Sequence, residues 1–358
     1  MAGDPTQDRY GPLWITRLSR HTGVERLAGR LGHPDKAAYL YVALLVVIDG
    51  GVLSTARAVL NDQPHPVVTN PLWLAVPVGL VFAVWSIRSL TRAYDDVASR
   101  YDADQFAAAM ADPIYDVRRT HVTHLVFLLL VAVHVVQFVV LGNWVGIAER
   151  VGPVVGGLSF GLLIPLGYFP VLAEFGGIVL ATVVFVPRSF VTNEFQVAFD
   201  DPLDAGGLEP VGDLLKQAAY VYAGGLVVAI LFEYGGLQFD TLPAGPVALK
   251  TAEFLLAWGL GVVLVGYGVV TLHLYMQRQR RAKIEAIDAR LRALGGDDRG
   301  IPETDPDEAE YRDLELEYLR LQKVKDTSTM PFSAAAEERL VASALAPIVL
   351  EVGIDVVL

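Results

Sequence analysis

The sequence predicts an all-α fold: a polytopic membrane protein built as a bundle of about six transmembrane helices, with a helical cytoplasmic tail. Three observations carry this. Of 358 residues, 53% are hydrophobic and only 19% charged, below the roughly 25% typical of soluble domains, and the mean hydropathy is +0.43. Several stretches lack Asp, Glu, Lys and Arg over the about 20 residues that a helix needs to cross a hydrocarbon core of about 30 Å. Finally, Lys and Arg gather in alternate connections, as membrane orientation requires. The composition excludes an ordinary soluble enzyme and a disordered chain.

Residues 1–37 carry six Lys and Arg and no apolar run, unlike a secretory signal peptide. Leu13, Trp14, Leu18, Leu27 and Leu31 recur at near-helical spacing, with Arg17, Arg20, Arg26 and Arg30 on a basic side. This pattern fits an amphipathic helix in the headgroup plane, or equally a short helix packed on the protein.

The transmembrane bundle, 38–277, contains apolar spans at about 38–60, 71–91, 121–142, 151–187, 217–236 and 251–277. Alternate connections on one side hold 25 of the 28 Lys and Arg, and those on the other hold only Arg150 and Lys250. The expected protein therefore lies in the cell membrane with both termini cytoplasmic and an even number of crossings. In 151–187 the only charge is Glu174, and a straight helix of that length would run about 55 Å. The sequence reading is a long, broken or re-entrant fourth span, with Pro165, Pro170 and Gly176-Gly177 as its weak points. Two full crossings there, making seven, are the alternative.

The tail, 278–358, continues the last span. Ile284, Ile287, Leu291 and Leu294 line one helix face, and Tyr311, Leu314, Tyr318, Leu321 and Lys325 follow heptad-like steps. About two heptads fall short of a secure coiled coil, so a hairpin within one chain and a contact between subunits both fit. A third helix is expected over 334–346, and the apolar end after Pro347 needs a cover.

Polar groups at bilayer depth are costly and single out candidates. Asp49 and Glu174 could bind a cation or relay a proton, with His134 and Gln137 as neighbours. Glu233, Asp240 and Glu253 are candidates for an outer acidic mouth, whereas Arg57 and Arg88 can snorkel. His124 and His273 share a depth and form a candidate metal or haem pair. His121 and His134 lie about 220° apart around their helix, which opposes a two-haem arrangement.

Other chemistry is absent from the sequence. There is no P-loop, GxSxG elbow, HExxH or dinucleotide fingerprint, and the GYG at 266–268 lies in an apolar helical run without a preceding Thr-Val. Cysteine is absent, which removes disulfides and thiolate sites. The net charge of −12, from 24 Asp and 16 Glu against 22 Arg and 6 Lys, fits a halophilic habitat and opposes nucleic-acid binding. No cofactor and no enzymatic activity are expected. The leading expectation is ion conduction or ion-coupled transport. The competing one is a non-conducting anchor or signalling scaffold whose tail recruits a cytoplasmic protein, with homo-oligomer formation open to either.

Overall fold

A computed structural model describes residues 13–60, 65, 74–100, 119–140, 142–192, 197, 199, 208–234, 247–293, 308–329 and 345–349. Among these residues every regular element is helical. In chain order they are α1 (Trp14–His21), α2 (Val24–Arg30), α3 (Pro34–Leu60), α4 (Ala75–Arg100), α5 (119–140), α6 (Asn143–Val151), α7 (Pro153–Thr192), α8 (Glu209–Tyr234), α9 (Val247–Ala293) and α10 (Glu308–Asp326).

Five of these, α3, α5, α7, α8 and α9, are long and apolar enough to cross a membrane. The chain is accordingly an integral membrane protein. The span expected at 71–91 corresponds to α4, which is not among the five. Its apolar run meets Arg88 and Arg92 well before the helix ends, and residues 71–73 lie outside the described residues.

The fourth span departs from the sequence expectation. It is long, but its helix is unbroken from Pro153 to Thr192, 40 residues, about 60 Å if wound as α throughout. The helix widens in two stretches, one containing Pro165 and one just before Pro187. Gly157–Tyr168 and Ala181–Phe185 wind as π-helix, in which each carbonyl bonds the N–H five residues on. Pro187 lacks the N–H that the Val183 carbonyl would use in an α register, and the π turn before it closes with the Val186 N–H on the Ala181 carbonyl. The excess length forms a helical core beyond the Arg88 level, where Val186 and Phe190 pack with Leu90, Tyr94, Val97, Leu208 and Val211.

α7 is the central helix. Buried residues make up 61% of its most apolar stretch, against 17% for α5 and for α9, so α7 meets protein on most sides while the others show wide faces to lipid. One end of α7 packs with α3, α4 and α6 around Val42, Leu80, Val84, Ile147 and Ile164. Its other end packs with α4, α8 and α9 around Ile87, Ile178, Leu214, Leu215 and Met276. α1 packs on the protein, with Leu13 touching both clusters and Ile15 and Ser19 buried.

The tail helices close as a hairpin within the chain. Ile287 and Leu291 of α9 pack on Leu314, Leu321 and Val324 of α10, while Glu317 accepts from Arg320 at 2.7 Å and lies 3.6 Å from Arg290. Arg280 donates to the Lys325 carbonyl at the C-terminal end of α10, where the helix dipole favours a cation. The third tail helix expected at 334–346 falls largely outside the described residues. Within the apolar end, Ile348 finds its cover against Leu226, Ile230 and Phe254, so the described tail is not a body apart from the bundle.

Candidate functional site

The polar centre of the bundle is built where three helices leave the α register. α3 winds as π-helix over Val47–Leu53, around Asp49 and Gly50-Gly51. α5 does so over Val136–Val140, just after His134, and α7 over Gly157–Tyr168. A π segment shifts backbone partners and side-chain phase, and such segments recur at functional sites.

Asp49, half-buried, receives two hydroxyls from α7. Ser159 Oγ donates to Oδ1 at 2.6 Å and Tyr168 OH donates to Oδ2 at 2.8 Å. Both donors are 8% exposed. One donor on each oxygen suits a carboxylate, which only accepts, and hydrogen bonds to an ionised acceptor are the stronger kind. Within α3, the Asp49 carbonyl takes the Ser54 hydroxyl at 2.9 Å.

His134 reaches the same stretch of α7 through the backbone. Its Nε2 lies 2.8 Å from the carbonyl oxygen of Phe160, the neighbour of Ser159. A carbonyl only accepts, so Nε2 carries the proton. The sequence explains why this carbonyl needs an outside donor: in the π register its partner would be residue 165, which is proline and has no N–H. Phe138 and Phe169 enclose the ring, with centroids at 4.3 and 5.3 Å. Gln137, half-buried, lies three residues after His134 within the π segment of α5.

This account predicts a rescue. His134→Phe is expected to lower stability by about 1 kcal/mol, and to cost less in a Pro165→Ala background, where residue 165 has an N–H for Phe160. A double-mutant cycle by SDS unfolding in mixed micelles measures it, and additive effects would contradict the proposed role of Pro165.

Glu174 is placed elsewhere. It is 1% exposed, and its Oε2 accepts the backbone N–H of Ile15 at 2.8 Å. Ile15 lies in the first turn of α1, whose N-cap, Leu13, supplies no side-chain bond. A carboxylate there satisfies an otherwise orphaned donor and faces the positive end of the helix dipole. Glu174 thus caps α1, whereas Asp49 takes hydroxyls from α7.

The histidine pair is likewise engaged separately. His124 meets the Trp14 ring of α1 edge-on at 4.9 Å. His273 Nδ1 donates to the Thr329 carbonyl at 2.9 Å and Nε2 accepts from Gln277 at 2.9 Å, which engages both ring nitrogens. Among the described residues no three His, Cys, Asp or Glu gather as a metal site. Of the outer acidic candidates, Asp240 lies outside the described residues, and Glu233 and Glu253 are described only as backbone within α8 and α9.

The sequence reading missed Ser159, Tyr168 and the Phe160 carbonyl. Pro165 was the available signal, because a proline inside an apolar helix orphans a carbonyl one turn earlier. Compared with protein-family models, curated proteins and solved structures, the chain has no significant match.

Proposed function

We propose that this integral membrane protein carries out ion-coupled transport or ion conduction, with Asp49 as the coupling carboxylate. The observation that supports this is the Asp49 carboxylate lodged between two π segments, accepting hydroxyls from Ser159 and Tyr168. Acids at bilayer depth mark ion and proton pathways, and irregular helix beside them supplies backbone groups for ions. Protonation or cation binding at Asp49 would compete directly with the bonds joining α3 to α7, which links occupancy to helix packing. In this reading the protein is a transporter of the cell membrane, not an enzyme. The Lys and Arg asymmetry supports cytoplasmic placement of 1–37 and of the α9–α10 hairpin.

The test is flux in proteoliposomes at high salt under imposed proton and alkali-cation gradients. Wild type is expected to carry current or flux that Asp49→Asn abolishes. Glu174→Gln, which keeps an acceptor for Ile15, is expected to retain it. Silence of the wild type to protons and to each cation would overturn the reading, as would an unaltered Asp49→Asn. Orientation is checked in the cysteine-free chain with Gly300→Cys. Impermeant thiol reagents are expected to leave it unlabelled in intact cells and to label it after lysis.

A scaffold is the second reading, and the hairpin supports it. α10 leaves Leu316 and Leu319 about half exposed on a charged helix, a surface that a cytoplasmic protein or a second copy could cover. It predicts that truncation after Ala293 abolishes cellular function while Asp49→Asn is silent.

A further inference from the structure

α1 and α2 are held to the bundle by one face. Ile15 and Ser19 of α1 and Val24 and Ala28 of α2 are buried, and Glu174 holds the backbone of Ile15 at 2.8 Å. Their outer side is thereby fixed. It carries exposed Arg17, Arg26 and Arg30, together with Leu27 and Leu31, 41% and 62% exposed. Leu27 and Leu31 stand one turn apart, as do Arg26 and Arg30, so an apolar strip runs beside a guanidinium strip. Arg20 is engaged by Glu25 at 2.9 Å.

The position of this strap suits the strip. It leads into α3 at Pro34, and Arg88 donates to the Asp35 carbonyl and lies over the Tyr39 ring, at the point where the apolar run of α4 gives way to charge. An arginine at the end of an apolar helical run marks the membrane interface. Exposed leucines beside arginines at that level have a physical use: apolar groups enter the acyl boundary while guanidinium groups reach the phosphates. The planar guanidinium fork matches phosphate oxygens.

We propose that α1–α2 is a binding surface for anionic phospholipid headgroups, with Arg17, Arg26 and Arg30 on the phosphates and Leu27 and Leu31 in the acyl boundary. Charge complementarity carries the choice of partner. The chain as a whole has net charge −12 and would be repelled by an anionic leaflet, whereas this strap presents cations not engaged as Arg20 is. The attraction acts only within about a Debye length, so these residues, and not the chain's net charge, set it. The inference is independent of the transport reading.

The test places an environment-sensitive fluorophore on Leu31→Cys in the otherwise cysteine-free full chain, reconstituted in nanodiscs. Trace spin-labelled phosphatidylglycerol or spin-labelled phosphatidylcholine then serves as quencher at equal mole fraction. Quenching by the anionic lipid is expected to be the stronger. The preference should fall up to about fivefold for each of Arg26→Gln and Arg30→Gln, the equivalent of about 1 kcal/mol per arginine. It should also weaken as salt is raised and resist added inorganic phosphate. Equal quenching by the two lipids, quenching by neither, or a preference indifferent to both substitutions and to salt would each overturn the proposal. Because Arg26 and Arg30 are exposed, the salt series on the unsubstituted strap gives a readout independent of any folding defect.

Discussion

Asp49→Ala is expected to destabilise the bundle by about 1–3 kcal/mol, more than either Ser159→Ala or Tyr168→Phe alone. Removing the carboxylate takes the acceptor from two buried hydroxyls at once, whereas removing one hydroxyl leaves the carboxylate with its other donor. The magnitude follows from the membrane setting. Charge-assisted bonds in water-soluble proteins contribute about 1.5–3 kcal/mol each, but interhelical bonds in bilayers average about 0.6 and reach about 1.7 kcal/mol, because the unfolded helices in lipid also find partners. Each hydroxyl should therefore show a coupling energy to Asp49 of that order in a double-mutant cycle by SDS unfolding in mixed micelles. Strict additivity of Asp49→Ala with both hydroxyl substitutions would mean that the contact holds nothing together. This measurement is separate from flux: a bundle that loses stability but keeps transport in Asp49→Ala would assign the carboxylate to packing alone.

Gly268→Ala should have an effect of similar or greater size, for a different reason. Gly268 of α9 crosses α7 so closely that an added Cβ would press on the Val183 carbonyl oxygen, and also meet Leu215 and Pro187 at 3.4 Å. A backbone carbonyl cannot rotate away as a side chain can, and this one lies in a π turn. Overpacking of this kind costs about 1–3 kcal/mol. Gly266, two residues earlier in the same helix, meets nothing within 4 Å. Gly266→Ala is expected to be neutral or stabilising by up to about 1 kcal/mol through helix propensity. Thermal unfolding of the two variants side by side gives the contrast, and equal midpoints would show that the α7–α9 crossing tolerates separation. Gly268 permits the helix crossing, and the GYG run at 266–268 lies wholly within continuous helix.

The tail shows how far pattern alone carries. Ile287 and Leu291 of α9 and Leu314 and Leu321 of α10 were legible as stripes because water faces the other side of both helices, and they are the residues that pack. The choice between a hairpin and a subunit contact was not legible, since the same stripe serves either. Within the bundle the pattern fails sooner. α5 and α9 are apolar on faces toward lipid and toward protein alike, so periodicity gives no phase, and nothing in the sequence says which residue Asp49 will meet.

The sequence by itself determined the solvent of this chain, the run of apolar helices, the continuation of the last span into charged helix, and the shortlist of costly polar groups at depth. Those follow from composition and local spacing, which act through each residue's own transfer energy. The tertiary structure decided what the polar groups do. Asp49 meets hydroxyls 110 and 119 residues away, and Glu174 caps a helix 159 residues away. The long fourth span stays one helix through two π-wound stretches, and α4, α8 and α9 cover its far end. A hydrogen bond is directional and lasts only a few ångströms, so its partners are fixed by the packing of helices distant in sequence, and local pattern cannot announce them.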